Sequence, residues 1–79
     1  GGRNMAKKNG FTIYNDDAIL LARLDTDVCS DIVANVVNYA VHGIDIDLDE
    51  NTSDYNALVA LASLCIINKI KRDRAREDD

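Results

Sequence analysis

Ala57-Leu58-Val59-Ala60-Leu61-Ala62-Ser63-Leu64-Cys65-Ile66-Ile67 carries a single polar side chain, Ser63. Thr52 or Ser53 stands ready to cap a helix here, and Asp54 suits its positive first turn. The spacing predicts a helix from there to about Arg76. A helix that is apolar nearly all round must be covered on every side. This stretch is therefore expected either to be the central helix of the fold or to turn one side to a second copy. A homodimer through Leu58, Leu61, Leu64, Cys65 and Ile66 is the expectation. Small folds of this length commonly need such support, because little of their surface is buried on folding.

Two shorter helices precede it. Val28, Ile32, Val33, Val36, Val37, Ala40 and Val41 recur at spacings of three and four, with Asp31, Asn35, Asn38 and His42 on the other side. Their β-branched side chains leave local propensity ambiguous, and phase decides for period 3.6. Asp25-Thr26-Asp27 forms its cap cluster, and Gly43 is the expected left-handed residue after His42. Before it, Asn15 or Asp16 can cap a short helix to about Leu24, with Ile19, Leu20, Ala22 and Leu24 as its apolar side.

Two segments read as extended. Phe11-Thr12-Ile13-Tyr14 alternates, and so does Ile44-Asp45-Ile46-Asp47-Leu48-Asp49, whose three aliphatics should point one way. The second could be a brief strand with the first as its mate. The sum is an all-α class: a small three-helix domain with extended segments near 11–14 and 44–48, dimeric through the third helix. Residues 1–10 read as a loose N-terminus in which Gly1–Asn4 precede the expected natural start at Met5. Residues 11–76 form one domain, and residues 77–79 an acidic tail.

Charge is segregated along the chain. Between Asp16 and Asp54 ten carboxylates face one base, Arg23, a local net charge of −9, although the whole chain carries only −5. The carboxylates are Asp16, Asp17, Asp25, Asp27, Asp31, Asp45, Asp47, Asp49, Glu50 and Asp54. Basic residues Lys69, Lys71, Arg72, Arg74 and Arg76 follow, diluted by Asp73. Such a field bears on association and on the sign of a partner. The acidic stretch is a solvated face or a surface for a basic protein. The basic run is a solvated helix end or a contact for nucleic-acid phosphates, without interleaved aromatics for base stacking.

No catalytic constellation stands out. His42 sits at a helix end with no nearby nucleophile pair, and Ser30, Ser53 and Ser63 lie in no nucleophile motif. There is no phosphate-binding glycine loop and no zinc spacing. Asp45-x-Asp47-x-Asp49 opens like a calcium loop, but Glu50 replaces the glycine at position six and Asn56 the glutamate at position twelve. The expectation is a non-enzyme with no cofactor and no metal. Cys29 and Cys65 fall on apolar helical positions and read as buried free thiols. No leader peptide or membrane span is expected, which points to the cytoplasm.

Phe11-Thr12-Ile13-Tyr14, the helix to Leu24, Asp25-Thr26-Asp27, Asn38-Tyr39-Ala40-Val41-His42-Gly43, and Ile66-Ile67-Asn68-Lys69-Ile70 before Arg72-Asp73 carry a further signal. Together they resemble a family of short uncharacterised phage and prophage proteins, some similar to the front part of phage replication-associated proteins. The resemblance spans residues 11–73 in helical pattern and punctuation. It departs in the connector, where family members often carry proline and glutamates. It implies a phage context, with the host cytoplasm as location, and no particular chemistry. The leading expectation is an acidic, DNA-mimic-like effector that binds and inhibits a basic host protein, itself one that binds nucleic acid. The alternative is a nucleic-acid-binding or replication accessory module using Lys69–Arg76, and the third is an assembly protein.

Overall fold

A computed structural model describes residues 10–78. Residues 1–9 of the N-terminus expected to be loose, and Asp79 of the expected acidic tail, lie outside the described residues. Three helices follow in order: α1 at Asn15–Arg23, α2 at Thr26–His42 and α3 at Asp54–Asp78. The chain is all-α, and among the described residues no strand forms. Residues 44–48 therefore do not pair with 11–14. Of the three aliphatics expected to point inward, only Ile46 packs on the core; Ile44 and Leu48 are exposed.

α3 is the helix that the other two contact. Tyr14 Oη donates to Asp73, and Lys69 Nζ donates to Asp17 at 2.8 Å, so α1 starts beside the far half of α3 and runs antiparallel to it. Asp31 accepts from Tyr55 Oη at 2.7 Å, Asn35 Nδ2 donates to the Ser63 hydroxyl at 3.2 Å, and Arg74 donates to the Ala40 carbonyl at 2.9 Å. Both partners rise in number together, so α2 and α3 run in the same direction. Parallel neighbours need a return segment, and residues 43–53 supply it by passing back beside α2.

The core lies between α2 and α3. Ile32 and Val36 meet Val59, Ile66, Ile67 and Ile70, with Ile13, Leu21, Val28, Tyr39, Ala40 and Ala62 against the edge. Ala60 and Ser63 are small, which lets the helices approach. Ser63 is wholly buried and polar, and its hydroxyl donates to the Val59 carbonyl at 2.7 Å while accepting from Asn35. Asn35 thus faces α3 and not the solvent side expected of it.

Several apolar expectations change. On α1, Leu21 meets the core, while Ile19, Leu20 and Leu24 stay exposed; no residue of α1 is fully buried. On α2, Val33, Val37 and Val41 are exposed, outside the face that buries Ile32 and Val36 against α3. Cys65 is exposed and Cys29 half-buried, so neither is the buried thiol expected. Ile66 is buried in the chain's own core and Leu64 half-buried, leaving Leu58, Leu61 and Cys65 as the open part of the expected interface.

The ends are set by different devices. Ser53 caps α3, accepting from the Asn56 N–H at 3.1 Å. At α1 the cap position falls on Tyr14, one residue before Asn15, and at α2 on Asp25; neither side chain makes a cap bond. Gly43 closes α2 at φ 72°, as expected, and the N–H groups of Gly43 and Ile44 reach the Tyr39 and Asn38 carbonyls. The result is a flat body of 47 × 28 × 16 Å. Its radius of gyration is 14.1 Å, against about 11–12 Å for a compact chain of this length.

Candidate binding groove

The return segment does not lie flush on the helices. It leaves a groove of about 640 Å³ between itself, one flank of α2 and the start of α3. α2 contributes Asp31, Ala34, Asn35 and Asn38; the return segment contributes Ile44 through Leu48; Asn51, Thr52, Ser53, Asn56, Val59 and Ala60 close the α3 end. Asp31, Asn35 and Asn38 are spaced by four and three residues, which puts them on one side of a helix. Ala34 and Ala60 give the lining small apolar patches. The walls carry amides and three carboxylates, Asp31, Asp45 and Asp47.

A local turn holds the α3 end open. The Asp49 carboxylate accepts from the Asn51 N–H at 2.8 Å and from the Thr52 hydroxyl at 3.3 Å. The Asp49 N–H donates to the Thr52 hydroxyl at 3.0 Å, and the Thr52 N–H to the Asp49 carbonyl at 3.1 Å. This is an aspartate bonding the backbone two residues on, a common way to set a turn. Asp49 is therefore committed to shaping the groove. Asp31 holds Tyr55 at the same end. That hydrogen bond, then burial, then the charges of Asp31 and Asp27, push the Tyr55 hydroxyl above its usual value of 10.0.

The other carboxylates divide. Asp16 and Asp17 sit on α1, and Asp17 is taken up by Lys69. The Asp17 hydrogen bond outweighs burial and holds the Lys69 ammonium above 10.5. Asp25 and Asp27 stand at the start of α2, and Glu50 and Asp54 are exposed around the start of α3. The ten acids thus fall on α1, on α2, and on the return segment with the start of α3.

Three of the five bases at the end of α3 are engaged by the chain itself. Lys69 holds Asp17. Lys71 lies 3.6 Å from Asp45 and 5.2 Å from the centre of the Tyr39 ring. Arg74 bonds the Ala40 carbonyl and stands over the same ring at 5.9 Å, satisfying one of the last carbonyls of α2. Arg72 and Arg76 are exposed, with Arg72 close enough to Tyr14 to oppose the rise that Asp73 causes in that hydroxyl. Among the described residues, no three His, Cys, Asp or Glu side chains gather as a metal would need.

Asn35, Asn38, Asn51 and Asn56 are lining residues that the sequence does not mark as a site. Their signal was there in part: Asp31, Asn35 and Asn38 form a polar stripe next to the buried one. Nothing in the sequence says that a return segment stands over it. In comparison with known proteins, the chain matches no family model, no curated protein and no solved structure. Among the described residues, no helix is long and apolar enough to cross a membrane.

Proposed function

We propose that the chain is a small acidic effector that binds a basic protein, with the groove taking a Lys- or Arg-bearing segment of it. The observation that carries this reading is the gathering of Asp31, Asp45 and Asp47 around one open, amide-lined groove. Side-chain amides and carboxylates together can accept from an ammonium or guanidinium while apolar lining residues receive its alkyl stem. The surrounding acids, Asp25, Asp27, Glu50 and Asp54, would speed the encounter by long-range attraction. Inhibition of a nucleic-acid-binding host protein, in the phage setting that the sequence resemblance implies, is the biological form of this proposal.

The alternative, phosphate contact through Lys69, Lys71, Arg72, Arg74 and Arg76, has less support. Lys69 and Arg74 are held at hydrogen-bond distance by Asp17 and the Ala40 carbonyl, whereas Asp45, only loosely paired with Lys71 at 3.6 Å, and Asp47 stay exposed at the groove. Fluorescence anisotropy separates the two readings, with labelled Lys/Arg-rich peptide and labelled duplex DNA titrated at low and high salt. Peptide binding that weakens with salt, and weakens severalfold in Asp45→Asn/Asp47→Asn, is expected. Unchanged peptide affinity in that variant sinks the groove reading, and binding of DNA alone moves the function to the end of α3.

A further inference from the structure

Six positions on α3 lie outside both the core and the groove. Asp54, Leu58, Leu61, Cys65, Asn68 and Arg72 alternate in steps of four and three, and all six are exposed. At 100° per residue they fall within a strip about 80° wide, the spacing of a helix that pairs with another helix. Leu58 and Leu61 are 69% and 62% exposed, so neither α1 nor α2 covers the centre of the strip. The flatness of the body, with its large radius of gyration, likewise suits a subunit with one side still open.

The strip is electrically polar. It begins at Asp54, close to Glu50, and ends at Arg72, with Arg76 one turn beyond. A parallel pair of such strips would set Arg72 on Arg72 and Asp54 on Asp54. An antiparallel pair sets each base against an acid. We propose that α3 pairs antiparallel with α3 of a second copy of this chain, in the register that sets Leu61 against the partner's Cys65. The same register sets Leu58 against the partner's Asn68 and Asp54 against the partner's Arg72, each layer occurring twice by two-fold symmetry. The apolar centre supplies the attraction and the charged ends fix direction, as polar positions do in paired helices generally. The strip is short, so the dimer forms and dissociates with concentration. It does not involve the groove and does not depend on what the groove binds.

Sedimentation equilibrium of the native chain is the first test. A monomer–dimer equilibrium is expected, weakened at least tenfold by Leu58→Ala/Leu61→Ala with an unchanged far-UV spectrum. Asp54→Arg and Arg72→Asp should each weaken the dimer, and the double charge exchange should restore it. A thiol trap reads the register. Leu61→Cys/Cys65→Ser mixed with native chain should give a mixed disulfide under mild oxidation. Native chain alone should not cross-link through Cys65. In the proposed register its two sulfurs are borne by positions offset by about 6 Å along helices about 8–10 Å apart, beyond disulfide reach. A monomer even at about 0.5 mM, well above the dissociation constant of a specific interface, overturns the proposal. So does efficient Cys65–Cys65 cross-linking, which demands a parallel pair or a different antiparallel register, or failure of the charge exchange to restore what the single changes lose.

Discussion

Ile67 and Leu58 sit nine residues apart in the same apolar run, and the structure gives them opposite fates. Ile67 is 1% exposed between α2 and α3, and Leu58 is 69% exposed. Ile67→Val removes one buried methylene group and leaves a small cavity, at a cost of about 0.5–1.5 kcal/mol. Leu58→Ala removes three carbons, yet most of that surface is in water already, so its cost in the monomer stays within about 0.5 kcal/mol. With a urea slope of about 1 kcal/mol/M for so small a domain, the first shifts the midpoint by roughly 0.5–1.5 M and the second by less than about 0.5 M. The assay is urea unfolding followed by circular dichroism at 222 nm, run at two protein concentrations so that any contribution from self-association shows as a dependence on concentration. A cost for Leu58→Ala at the lower concentration as large as that for Ile67→Val would refute this assignment of faces. The helix would then be rotated relative to the core described above.

Two further predictions follow from the ends and the charges. Gly43 has φ 72° with open space where a Cβ would stand, so Gly43→Ala should cost only the left-handed strain, about 1–2 kcal/mol, and Gly43→Asn less; equal stability of Gly43→Ala and native chain in urea would contradict the αL cap. Tyr14, Tyr55 and Lys69 all have raised values, chiefly through hydrogen bonds to Asp73, Asp31 and Asp17, above ordinary values of 10.0, 10.0 and 10.5. A raised group contributes stability that is present below its unfolded value and lost as pH rises through the folded one. Stability should therefore be insensitive to these groups at neutral pH and decline above about pH 10. Tyr14→Phe/Tyr55→Phe should lose less than the native chain between pH 9 and pH 11 in urea titrations, and a steeper loss would show the sign to be wrong.

The helices themselves were written in local sequence. Val28 to Val41 keeps a 3.6 period, Gly43 follows with no side chain to oppose a left-handed turn, and Ser53 stands where the last helix needs an acceptor. These effects act within a turn or two of the chain, so sequence alone determines them. It also determined that the middle of the chain would be acidic. It could not determine which valines of α2 are covered, because seven apolar positions fit a helix face and only Ile32 and Val36 meet α3 fully. It could not place Asn35 against Ser63, or show Cys65 in the open, since both depend on how α2 and α3 are rotated about their axes. The groove belongs to the tertiary structure as well. Asp31 and Asp45 are fourteen residues apart, and they face one space only because two parallel helices force the segment between them to run back alongside. Lys71 and Arg74 read as a basic end in one dimension. In three dimensions they sit beside Asp45, Tyr39 and the last carbonyls of α2, because charges distant in sequence find their partners only when the chain has packed.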